Sequence, residues 1–461
     1  MARTFLPLSP AHRVGLFLSS RLPPLRLRRR HPNVPMAATT AYHPDRAAAS
    51  RQPWILFDAF ADIDDRRNGT TVQASTSNKK TIQVSIWPAA PPAPSRLAVH
   101  CPDLQGDVFR EVPRILCSAD DLLLIRVDIG CPAVAPWEKG DYFIYRILWG
   151  ELPLLQLLPK PGPFHDDEVG LLPRGDHFTV AALSFATHGH NLHLFNSETW
   201  SWACFSDVPV AAPQRPFPIQ IHRDSARLHH HCTSTVITLG GSGGTMGWVD
   251  LWRGILFCDV LSSSSSPQLR GVPVPLPGPL LKHGKRIEGC PKSYRGIAVV
   301  DGSLKMVEME ARASGAAYPD SETGHLNFRV DEWELSTYTN SRITGAWEDW
   351  NLDAEFRASS AMIDGAMRRQ LLHCGLMMHD AGLGTQRELQ NLHTSQPALG
   401  LDGEGVVYLL ARAKYMQSKA WVIAVNMAEN KIQALAEFGT DRSMGLSLAY
   451  CPSRISSYVD M

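Results

Sequence analysis

From Trp54 onward the chain alternates short apolar runs with turn-forming residues, and this rhythm predicts strands. Trp54-Ile55-Leu56-Phe57-Asp58 reads as one strand. Thr81-Ile82-Gln83-Val84-Ser85-Ile86-Trp87 alternates apolar and polar positions, the period-two mark of a strand with one buried face. Pro88, Pro91, Pro92 and Pro94 then end regular structure. A unit recurs after this. Leu122–Val127 is followed by Tyr142–Arg146 and Leu154–Leu158; Phe178–Leu183 by Leu192–Asn196 and Trp200–Trp202; Thr235–Leu239 by Gly247–Trp252, Ile255–Val260 and a closing Val272–Pro277. Further units open near Gly296–Val300 and Val406–Leu410, the last continuing through Trp421–Val425 to Ile432.

Within the third unit, Trp248, Leu251, Trp252, Ile255 and Leu256 also fit helical spacing. Strands are expected instead: Arg253-Gly254 interrupts the run, no N-cap residue precedes it, and aromatic and β-branched residues dominate. Three or four short strands per unit, recurring roughly every 55 to 60 residues, predict a mainly β chain of five or six units in a propeller-like arrangement with few short helices. Two packed β domains are the alternative. The best helical segment is Ala361 to Met378, and Ser262 to Ser266 reads as a flexible excursion between blades.

Composition narrows the function classes. At 44% hydrophobic and 20% charged, the 461-residue chain can bury a sizeable core. Its 45 Lys plus Arg match its 45 Asp plus Glu, which removes the basic excess typical of a dedicated nucleic-acid binder. No run reaches the roughly 18 apolar residues of a membrane-spanning helix. The nine cysteines include no CxxC pair, so neither a zinc knuckle nor a disulfide framework is expected, and neither a metal nor a cofactor is called for. Residues 1–50 stand apart as a leader. Arg3, Arg13, Arg21, Arg26, Arg28, Arg29 and Arg30 precede the first acid, Asp45, a pattern shared by plastid and mitochondrial transit peptides and by disordered basic tails. Met36 offers an alternative start. Cytoplasm or nucleus is the expected location, with plastid or mitochondrion if the leader targets. Residues 54–461 are expected to form the β-rich domain.

The sharpest catalytic motif is Gly240-Gly241-Ser242-Gly243-Gly244, which satisfies G-x-S-x-G. In α/β-hydrolases that motif lifts a nucleophilic Ser on a tight turn between a strand and a helix. Asp301 or Asp331 with His373 or His379 would complete the order acid then base. The chain lacks the alternating βαβ pattern of such enzymes, so a glycine-rich loop between two strands is the expected structure. Histidines cluster at 188, 190 and 193 and at 229, 230 and 231. Residues two apart share a strand face and could reach one metal, but no carboxylate or cysteine stands at ligand spacing, and loop or surface histidines are expected. The acidic runs Asp64-Asp65, Asp120-Asp121 and Asp166-Asp167-Glu168 read as solvated turn residues.

The segments Trp54–Asp58, Asp120–Arg126 and, above all, Gly247-Trp248-Val249-Asp250-Leu251-Trp252-Arg253-Gly254-Ile255 resemble the plant "domain of unknown function 1618" family, which is expanded in grasses. Leu192–Phe195 and Ala420–Val425 support the resemblance, which covers residue 54 to the C-terminus. Trp248, Asp250, Trp252, Arg253 and Gly254 are its most specific residues. It implies no catalytic residue or cofactor. Some members are similar to F-box-associated proteins, but residues 1–53 carry no F-box-like series. The expected role is a non-enzymatic module that docks another protein on its loops; a serine hydrolase using Ser242 is the alternative.

Overall fold

Nearly every apolar run named above lies on a strand. The structure, a computed structural model, describes residues 53–104, 109–130, 140–148, 150–160, 162, 164–186, 189–211, 231–262, 266–278, 289–380, 385–439 and 449–458. The leader, His188, His229 and His230 lie outside these residues.

After β1 (Ile55–Asp58), six four-stranded sheets follow in chain order. Sheet I contains β2 (Asp62–Ile63), β3 (Val72–Ser75), β4 (Thr81–Trp87) and β5 (Arg96–His100), in the order β2-β5-β4-β3. Sheet II is β6 (Phe109–Ala119), β7 (Leu122–Ile129), β8 (Asp141–Arg146) and β9 (Leu154–Leu157). Sheet III is β10 (Val169–Arg174), β11 (His177–Ala186), β12 (Gly189–Asn196) and β13 (Ser201–Val208). Sheet IV is β14 (Thr235–Gly240), β15 (Thr245–Asp250), β16 (Gly254–Asp259) and β17 (Arg270–Pro273). Sheet V is β18 (Arg295–Val300), β19 (Ser303–Pro319), β20 (Leu326–Asn340) and β21 (Asn351–Arg357). After the short pair β22 (Met378–Asp380) and β23 (Thr385–Arg387), sheet VI is β24 (His393–Leu399), β25 (Val406–Arg412), β26 (Ala420–Asn426) and β27 (Lys431–Gly439). Sheets II to VI are antiparallel meanders. The last strand, β28 (Tyr450–Ser453), pairs antiparallel with β1, Ile55 opposite Ser453.

Successive sheets share cores in chain order. Ile82, Val84 and Ile86 of sheet I pack with Leu123, Ile125 and Phe143 of sheet II. Leu122, Leu124 and Ile144, on the other face of sheet II, pack with Val169, Leu171 and Phe178 of sheet III. The strand period of two thus gives β7 two buried faces, one for each neighbour. Further cores join III to IV through Trp248, IV to V through Phe257 and Leu304, and V to VI through Trp333 and Val407. The last joins Tyr408 and Val422 of sheet VI to Trp54, Leu56 and Tyr450. Each fully buried large apolar side chain contributes on the order of 1.5–3 kcal/mol. Arg51–Met461 divides into no smaller compact units.

Three expectations need correction. The units were phased one strand late in sheets II, III and VI, where β6, β10 and β24 precede the apolar runs. Ser263, Ser264 and Ser265 lie outside the described residues, but the Ser262–Ser266 stretch falls between β16 and β17, which pair with each other, so it joins strands of one sheet rather than linking two sheets. The helix is shorter than its apolar pattern: α1 spans Gly365–His373, with the Asp364 side chain accepting from Met367 N at 2.8 Å as N-cap.

Candidate functional site

The first strands of sheets II to VI, together with β28, bound a cavity of about 410 Å³. Neighbouring strands approach closely there. A side chain at Gly296 would run into the carbonyl oxygen of Pro397, so glycine is required by close approach. The leading mouth, where these strands begin, concentrates charge. Asp166, Asp167 and Glu168 form one 3₁₀ turn just before β10. Asp166 meets Arg126 at 2.7 Å and Arg114 at 3.6 Å. Asp167 lies 2.5 Å from the ammonium of Lys292, a buried side chain on the turn before β18. Arg295 is fully buried; it pairs with Glu308 at 3.0 Å and donates to the carbonyls of Leu251 and Pro275. Asp166 and Asp167 are therefore ion-pair partners, not the solvated turn residues expected. Asp121 is likewise buried and 2.5 Å from Arg146.

The turn between β15 and β16 completes this mouth. Asp250 is buried and accepts from Cys232 N at 2.8 Å and from Trp252 N at 3.0 Å, and its carboxylate pairs with Arg253. An aspartate bonding the backbone two residues on closes a tight turn. Trp248 is buried in sheet IV and donates its indole N–H to Glu168 O at 2.8 Å, locking sheet IV to the acidic turn. The Trp252 ring lies 5.5 Å from the Arg295 guanidinium and 6.2 Å from Tyr294. At Gly254 a Cβ would stand 2.6 Å from Val272 O. All five residues most specific to the sequence resemblance thus have structural contacts at one corner.

Ser242 sits elsewhere. Gly240–Gly244 is the turn between β14 and β15, at the opposite end of β15 from Asp250. Gly240, Gly241 and Gly244 adopt positive φ of 73°, 75° and 61°. Ser242 is exposed, and a strand follows the turn where the hydrolase elbow has a helix. Asp301 lies on the β18–β19 turn, Asp331 on β20 and bonded to Ser314, His373 at the end of α1, and His379 on β22. Among the described residues none is hydrogen-bonded to Ser242.

The histidines fall into two environments. His193 is buried in sheet III, 3.1 Å from the Ser184 hydroxyl, instead of on the expected surface. His190 of β12 meets His231, just ahead of β14, with ring centroids 6.0 Å apart. Burial lowers the pKa of both, that of His231 to about 3, with His190 and Arg253 adding to the shift. The sequence grouped histidines by proximity along the chain and gave no signal for this cross-sheet pair. Burial raises the thiols of Cys451, to about 12, and Cys117. Among the described residues no group of three potential metal ligands occurs, and no helix is long and apolar enough to cross a membrane.

A second feature rises from the leading mouth. β18 stops opposite Glu308 and β21 opposite Glu334, yet β19 and β20 continue paired to Pro319↔Leu326. The resulting arm is braced by Lys414, 3.0 Å from Asp320 and 2.6 Å from Glu322, and by Phe328 against His393 and Tyr415. Its outer part is open: Tyr318 is 49% exposed, Leu326 61% and neighbouring Tyr415 43%. This hairpin has no clear apolar signature in the sequence, because Ser303–Pro319 mixes charged and small residues with few aliphatics.

No curated protein matches the chain by sequence. Two solved structures are similar over long alignments. One, provisionally named a 6-phosphogluconolactonase, from Bacteroides uniformis, shares 10% identity, covers 87% of this chain and 99% of its own, and has a TM-score of 0.28. The other, polysaccharide lyase Uly1, shares 8% identity over 83% of this chain and 81% of its own, also with a TM-score of 0.28. Likeness at that level bears on neither fold nor activity. Residues 248–408, which begin at the buried Trp248 and include the Asp250–Gly254 turn, match the model of the family described as "Protein of unknown function (DUF1618)".

Proposed function

We propose that residues 54–461 form a non-enzymatic interaction module on a propeller-like β scaffold, of the plant, grass-expanded kind that the sequence resembles, with residues 1–50 as a separate leader. The partner is another protein. The observation that carries this reading is the β19–β20 arm, whose exposed Tyr318 and Leu326 stand beside Tyr415 on a brace of ion pairs. Exposed apolar side chains held on a rigid support are typical of docking surfaces. Beyond Met309, whose N–H bonds Tyr294 O, no strand among the described residues pairs with the far edge of β19, and an extended segment could add there. The cyclic order of shared cores and the cavity bounded by first strands support the propeller-like arrangement.

The test is affinity capture of the full chain from its native tissue, identification of a stoichiometric partner, and repetition with Tyr318→Asp plus Leu326→Asp. Those positions are exposed, so folding is retained while capture is lost. Undiminished capture by the double variant would overturn the assignment to the arm. Labelling of Ser242 by a fluorophosphonate probe would overturn the non-enzymatic reading.

A further inference from the structure

The geometry points to a two-imidazole binding site for a borderline divalent metal, zinc or copper in class, formed by His190 of sheet III and His231 at the start of sheet IV. The two rings come from different sheets, with centroids 6.0 Å apart and planes at 76°. Two imidazoles that share a metal at ~2.0–2.1 Å hold their ring centres about 5–6 Å apart, so small side-chain rotations would bring both nitrogens to bear. Neither ring nitrogen of His190 has a hydrogen-bond partner among the described residues, although both are buried. A buried polar atom normally has a partner, and an orphaned nitrogen beside a second imidazole is a lone pair available to a cation. His231 makes one long contact, 3.3 Å from its Nε2 to the Thr233 hydroxyl, and keeps Nδ1 for other use.

The surroundings favour metal over proton. Burial lowers the pKa of both imidazoles and so favours the neutral, ligating form. Arg253, the nearby cation, has its charge offset by Asp250. Phe185 packs edge-on against His190 and closes one side. With two protein ligands, the remaining positions are left to water or to an anion. That arrangement suits imidazole-preferring metals and not calcium or magnesium, which take oxygen ligands.

The experiment uses the full chain, stripped with chelator and titrated with zinc chloride by calorimetry at pH 7.5 and pH 6.0. One equivalent is expected at both pH values, with a smaller loss of affinity at pH 6.0 than an exposed histidine pair would show, because burial favours the neutral rings. His190→Phe and His231→Phe, assayed separately, should each weaken binding by about tenfold or more, while His373→Ala leaves it unchanged. Cobalt substitution of the unaltered chain provides a readout that needs no variant: nitrogen and oxygen ligation without a thiolate charge-transfer band is expected. Absence of binding, wild-type affinity in both phenylalanine variants, or a thiolate band would overturn the site.

Discussion

β15 carries a turn at each end, and the two could hardly differ more. At one end, in Gly240–Gly244, Gly241 and Ser242 are exposed, and three of the glycines hold positive φ. At the other, Asp250 is buried beneath two backbone N–H groups and a guanidinium, and Gly254 lies against the backbone of β17. The first turn bears the motif that looks most like catalysis, but its serine is exposed and only its far end, at Gly243 and Gly244, packs against Asp259, Leu261 and Leu172. The second lacks a familiar enzyme motif and ties sheets III, IV and V together through Trp248 on Glu168 and Arg295 on the carbonyl of Leu251. A motif names residue types at a spacing; what a turn does depends on what it touches.

The largest expected effect breaks the second turn. Asp250→Ala leaves Arg253 buried without its carboxylate and two N–H groups without an acceptor, and should cost about 3–5 kcal/mol in denaturant unfolding. A loss below about 1 kcal/mol would mean the turn does not hold the corner. Gly296→Ala, on a first strand against Pro397, should cost about 1–3 kcal/mol through forced separation of sheets V and VI. The buried His231 gives a pH signature. Its folded pKa lies below its unfolded value, so below about pH 6.5 the unfolded chain holds a proton that the folded chain lacks. Stability should therefore fall with falling pH by about 1.4 kcal/mol per unit from this group, and His231→Phe should flatten the slope between pH 6 and 4. The smallest effect belongs to the first turn: Ser242→Ala should shift stability by less than about 0.5 kcal/mol.

Strand content was legible wherever one face or both meet a shared core. Thr81–Trp87 alternates because one face meets an apolar core, although its polar face, with Gln83 and Ser85, is buried as well instead of exposed as expected. The Trp248–Leu256 stretch is recognisable as two strands because Arg253-Gly254 must turn. The phase of the units was less legible. β6, β10 and β24 border the cavity and carry Ser118, Gly170 and Gln396 among their apolar residues, so the pattern that announces a strand is weakened where it matters for the site. The pairing of Ile55 with Ser453 has no local signal, since the partners lie at opposite ends of the domain. The same holds for His190 with His231 and for Asp167 with Lys292, which only the apposition of sheets brings together. The acids at 166 and 167 were visible as residues but not as ion pairs, because their cations come from β6, β7 and the turn before β18.

On the proposed function, binding resides on the β19–β20 arm at the leading mouth and not at the Ser242 turn. Its most direct measurement is the affinity of the captured partner for three purified forms: the unaltered chain, Ser242→Ala, and Tyr318→Asp with Leu326→Asp. Unchanged affinity for the first variant and at least about a tenfold loss for the second are predicted, equivalent to about 1.4 kcal/mol. Loss with Ser242→Ala and retention by the arm variant would contradict the account.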